Sequence, residues 1–68
     1  MKEFVLKEDY IELIKLLKLM GIAESGSHAK MLVEENAVLR NGNLETRKRA
    51  KLRKGDIIKV DNWAVIIK

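Results

Sequence analysis

Catalysis needs reactive side chains in defined groupings, and this 68-residue chain holds few of them. It has no cysteine, so it offers no thiolate nucleophile, no disulfide and no thiolate metal site. His28 is the only histidine, without a histidine partner to complete a metal site or a relay. Ser25 and Ser27 have no identifiable base to activate them and read as helix-capping residues. The surroundings of Gly26 and Gly42 match neither a phosphate loop nor a dinucleotide fingerprint. Glu34-Glu35 reads as a solvating pair at a helix end. No enzyme, cofactor or small-molecule substrate is expected.

One group of residues does suggest a chemistry. Residues 40–54 carry seven cations (Arg40, Arg47, Lys48, Arg49, Lys51, Arg53, Lys54) against Glu45 alone, a net charge of +6, while the whole chain is only +4. Charge gathered in one segment points to a polyanionic partner. Arg47-Lys48-Arg49-Ala50-Lys51 follows directly on a hairpin signal, so its cations are expected on a folded scaffold at phosphate spacing. The start of a second helix adds backbone N–H groups at Gly26 and Ser27, with Lys30 one turn on, which suit a phosphate oxygen. Phe4, Tyr10 and Trp63 are the only aromatics and are expected in the core. That favours recognition of a folded RNA by backbone and shape over base stacking.

The elements that must position these residues can be read from local pattern. Phe4-Val5-Leu6 is an expected edge strand. Asp9 and Glu12 have the spacing of a capping box, so a first helix is expected from Asp9. Its apolar set (Tyr10, Ile11, Leu13, Ile14, Leu16, Leu17, Leu19, Met20) wraps more than half its circumference, as in a helix packed on two sides. Gly21 fits the left-handed residue of a Schellman ending, with Ile22 folding back on Leu17. Ser25 caps a second helix whose apolar stripe is Ala29, Leu32 and Val33, ended by Asn36 in a left-handed conformation. Asn41-Gly42 between Val38-Leu39-Arg40 and Asn43-Leu44-Glu45 is the strongest short hairpin signal. Lys54-Gly55-Asp56 is a turn, and Ile57–Val60 and Trp63–Ile67 are strands joined at Asp61-Asn62. There is no proline and no repeat. The expectation is one α+β domain over residues 1–68. The absence of an apolar leader, a membrane-length apolar run and cysteine fits a cytoplasmic location.

In this order the elements resemble a known family. Ile11 to Ile58 is similar to the RNA-binding domain first seen in ribosomal protein S-four, the αL motif. That domain also occurs in pseudouridine synthases, tyrosyl-tRNA synthetases and a ribosome-associated heat-shock protein. The matching residues are Ile14-Lys15-Leu16-Leu17, Glu24-Ser25-Gly26-Ser27-His28-Ala29-Lys30, Val38, the Asn41-Gly42 turn and Lys54-Gly55-Asp56-Ile57-Ile58. Glu45-Thr46-Arg47-Lys48-Arg49 looks like the free-standing, single-domain bacterial branch. The resemblance implies a two-helix αL motif packed on a small, mainly antiparallel sheet, binding structured RNA, ribosomal or transfer. The contacts it implies are Ser25, Gly26, Ser27 and Lys30, with Asn41, Gly42, Arg47, Lys48, Arg49 and Lys51. Gly26 and Ser27 stand where the family often has Arg or Lys, which weakens that half of the site, and Asn36 replaces a common Gly. Arg40 takes a commonly apolar strand position, so it is expected to point outward and join the basic face. The rival readings are a DNA-binding helix pair and an adaptor for an acidic protein.

Overall fold

A computed structural model describes Met1–Lys68. The elements in chain order are β1 (Lys2–Phe4), β2 (Ile11–Glu12), α1 (Leu13–Leu19), α2 (Gly26–Glu34), β3 (Val38–Arg40), β4 (Asn43–Leu44), β5 (Lys51–Leu52), β6 (Ile57–Val60) and β7 (Trp63–Ile67). Five strands form one sheet in the order β1-β7-β6-β3-β4, and β2 pairs with β5 in a separate two-stranded ladder. Every pairing is antiparallel except β1 with β7, so the α+β, mainly antiparallel reading holds.

The turn chemistry sets the hairpins. Asn41 (φ +51°) and Gly42 (φ +84°) both occupy the left-handed region that a two-residue primed turn demands. Asp61 (φ +52°) plays the corresponding part between β6 and β7. Register then follows alternation: Val38, Ile58, Val60, Val65 and Ile67 share one buried face and pack against the helices.

The helix ends also follow local rules. Gly21 (φ +79°) ends α1 with a Schellman pair, Ile22 N–H to the Leu17 carbonyl at 3.0 Å and Gly21 N–H to the Lys18 carbonyl at 3.1 Å. The Ser25 hydroxyl accepts from the His28 N–H at 3.1 Å and caps α2. Asn36 (φ +60°) closes α2, with Ala37 N–H returning to the Leu32 carbonyl at 3.0 Å. Leu13, Leu16 and Leu17 are fully buried in the single core cluster, alongside Ala29, Val33 and Leu52.

Three local expectations fail. The first helix begins at Leu13, not Asp9, and its N-cap Glu12 makes no side-chain capping bond. Ile11-Glu12 is held extended by its pairing with Lys51-Leu52, so tertiary pairing overrides the capping-box signal. With fewer turns the helix cannot bury its whole apolar set: Tyr10 lies outside it and Leu19 is 59% exposed. Finally, the first strand is Lys2–Phe4, not Phe4–Leu6. Its parallel register on β7 (Phe4 opposite Ile67) is continued by Lys68 N–H to the Phe4 carbonyl and Leu6 N–H to the Lys68 carbonyl.

Candidate nucleic-acid interface

After β4 the chain recrosses the start of α1. The first amides of a helix have no partner within it. Here the Leu13 N–H donates to the Ala50 carbonyl at 2.9 Å and the Ile14 N–H to the Lys48 carbonyl at 3.3 Å. Ala50 is itself buried, so the basic loop is pinned at its backbone while Arg47, Lys48 and Arg49 stay exposed around it. The carbonyls of the loop do the capping that Asp9 was expected to do. The cations are therefore carried on part of the core scaffold.

Glu45 organises the near end of this loop. It is the only buried charged residue, and its carboxylate accepts from the Arg47 backbone N–H (3.0 Å), Arg47 Nε (3.2 Å) and Arg40 Nη1 (3.4 Å). Burial by itself would raise its carboxyl, but bonds from the Arg47 side chain and backbone, with Arg40 behind them, outweigh this and hold it below the ordinary value. Asp56 is arranged alike. Its burial is outweighed by the Arg53 backbone N–H (2.8 Å), Asn41 Nδ2 (2.9 Å) and Arg40 Nη2 (2.8 Å), so its carboxyl is lowered too.

The expected outward orientation of Arg40 is overturned. Arg40 pairs across the sheet with Ile58 and lies two residues from Val38, so it leaves β3 on the core side. Its side chain is 22% exposed and its guanidinium bridges Glu45, Asp56 and the Lys51 carbonyl. A long cation at a core-facing position has to bring partners, and Glu45 and Asp56 are those partners. Asn41 is committed to the fold as well, its side chain bonded to Asp56 and to the Ile57 N–H. Gly42 lies beside it at the turn.

The remaining expected residues fall into two adjoining groups. Ser27, Lys30 and Glu34 recur at helical spacing along α2, below the Ser25-Gly26 cap. Glu34 pairs with Lys48 at 3.2 Å, which joins that helix face to the basic loop. Arg49, Lys51, Arg53 and Lys54 form no ion pair and leave their charge available. The Lys51 ammonium lies 4.9 Å and the Arg53 guanidinium 5.9 Å from the centre of the Tyr10 ring, which is 39% exposed and not in the core as expected. Tyr10, Arg53 and Lys54 therefore extend the cationic surface beyond the expected residues. The alternation of Lys51 and Arg53 around an apolar Leu52 was the available signal.

No group of three His, Asp or Glu side chains converges as a metal site would require. No helix is long and apolar enough to cross a membrane.

Comparison with known proteins agrees with this fold. The solution structure of YbcJ from Escherichia coli, which reveals an αL motif involved in RNA-binding, superposes with a TM-score of 0.75 at 40% identity, over 98% of this chain and 86% of that one. In sequence, the chain is 44% identical over 52 residues to the "Putative RNA-binding protein YbcJ" of Escherichia coli (strain K12), covering 76% of this chain and 74% of the relative. An uncharacterised YbcJ of Shigella flexneri matches to the same extent. The S4 domain family model matches residues 4–68. From its helix pair, its mixed sheet and this match over nearly its whole length, the chain belongs to the S4 domain family.

Proposed function

We propose that this chain binds structured RNA, ribosomal or transfer RNA, through phosphate contacts from the loop cations Arg47, Lys48, Arg49 and Lys51 and from the Ser25–Lys30 end of α2. The whole chain acts as one RNA-binding unit of the cytoplasm, associated with the ribosome and without catalysis. The observation that carries this reading is the pinning of the basic loop by its own carbonyls onto the start of α1. Cations on a rigid frame lose less freedom when they meet phosphates than cations on a tail. Side chains that reach phosphate position a protein on folded RNA, whereas base edges in an RNA helix are largely out of reach. The likeness to YbcJ, whose αL motif is involved in RNA-binding, supports the same reading.

The test is salt dependence. Lys48, Arg49 and Lys51 are changed together to Gln, leaving Arg47 because it clamps Glu45. Each exposed change is expected to alter stability by only about 0.5 kcal/mol. Affinity for every folded RNA should fall, and the log–log salt slope should flatten by roughly 0.7–0.9 for each phosphate no longer neutralised. A folded variant with wild-type affinity and slope would overturn the assignment. Equal or tighter binding of duplex DNA at the same salt would redirect it to DNA.

A further inference from the structure

A recess lies away from the cationic loop, where the β6–β7 turn meets the start of α2. It is a shallow groove of about 560 Å³, walled by Ile22, Leu32 and Trp63 and edged by His28, Asp61 and Asn62. Its apolar walls include a half-buried indole, and its rim is polar. That combination suits a flat heteroaromatic ring with hydrogen-bonding edges.

The rim chemistry narrows the ring. The Glu24 N–H donates to His28 Nδ1 at 3.1 Å, so Nδ1 carries a lone pair and the neutral imidazole holds its proton on Nε2. Nε2–H makes no hydrogen bond within the protein, so this groove-lining residue keeps a free donor. Asp61 forms no ion pair and makes no side-chain hydrogen bond, so its carboxylate offers acceptors only. The rim thus presents a donor and a carboxylate beside an aromatic wall. Each nucleobase edge offers an acceptor and a donor, but guanine alone offers a carboxylate two adjacent donors, N1–H and N2–H₂, beside the O6 acceptor. Adenine and cytosine turn a ring-nitrogen lone pair toward the carboxylate, and uracil has a single N–H between two carbonyls.

We infer that this groove is a guanine-binding subsite, taking the base of an unpaired guanosine against Trp63 with Asp61 and His28 reading its edge. Its place beside the first turn of α2 sets it next to the Ser25–Ser27 segment, so a guanosine whose phosphate meets that turn can seat its base here. The loop cations then supply affinity that is blind to sequence, and the groove supplies preference.

Trp63 is the only tryptophan and so reports on its own site. Guanosine and adenosine monophosphates are titrated against Trp63 fluorescence in one arm; in the other, an RNA hairpin with a single bulged G, A or U. The RNA arm rests on the function proposed above; the nucleotide arm does not. Expected is quenching by the guanine ligands with about tenfold preference over the other bases. Asp61→Asn, which tolerates the positive φ of that turn, should abolish the preference while leaving general RNA affinity in place. The Lys48/Arg49/Lys51 variant should do the reverse. Quenching by the free nucleotide alone places the subsite's ligand among free guanine nucleotides, and stands even if RNA does not bind. RNA binding with no base preference and no change at Trp63 in either arm overturns the subsite while leaving the basic face intact.

Discussion

Glu45→Ala deletes the only buried charged side chain and leaves its partners behind. The Glu45 side chain is 7% exposed, Arg40 is 22% exposed, and Arg47 is 71% exposed and well solvated. Removing one partner of a fully buried pair costs about 3–5 kcal/mol, whereas a surface pair is worth about 0–1 kcal/mol. Arg40 keeps Asp56 and the Lys51 carbonyl, so its charge is not stranded. The Arg47 backbone N–H loses its acceptor but can turn to water. The expected cost therefore lies between the two limits, about 2–3 kcal/mol, or roughly 10–20 °C in Tm for a domain of this size. Thermal melts followed by circular dichroism at pH 7 measure it directly. The pH dependence gives a second readout. Glu45 and Asp56 are both lowered in the fold, so their contribution is complete above about pH 4.5 and is lost as pH falls through their folded-state values. Wild type should lose stability on acidification through that window. Glu45→Gln, which cannot titrate, should start less stable at pH 7 and lose less. A Glu45→Ala protein that melts within a few degrees of wild type, with an unchanged acid limb, would refute the clamp.

Two other changes test the frame around the site. Leu17→Ala removes a fully buried side chain between α1 and the rest of the core, with an expected loss of about 2–5 kcal/mol; a near-native denaturant midpoint would show that the core can collapse around the gap. At Gly42 (φ +84°) an added Cβ meets nothing within 4 Å, so Gly42→Val should lose only the backbone strain, about 1–3 kcal/mol. A variant melting like wild type would mean that the hairpin turns elsewhere.

Much of this protein was legible in sequence because the governing interactions span only a few residues. Ser25 capping His28, the left-handed residues Gly21 and Asn36, and the Asn41-Gly42 and Asp61-Asn62 turns are settled by local sterics. Strand alternation then decided which of Ile57–Val60 and Trp63–Ile67 face inward. Tertiary structure alone decided where α1 begins, since the Lys48 and Ala50 carbonyls that cap it come from far along the chain and compete successfully with Asp9. It also decided the parallel seat of β1 on β7, for which no turn sets the register. Most consequentially, it sorted the cations. Net charge counted Arg40 with Arg49 and Lys51, but a strand position facing the core needs compensated charge, and only the fold could bring Glu45 and Asp56 to Arg40 while leaving Arg49 and Lys51 free of carboxylates.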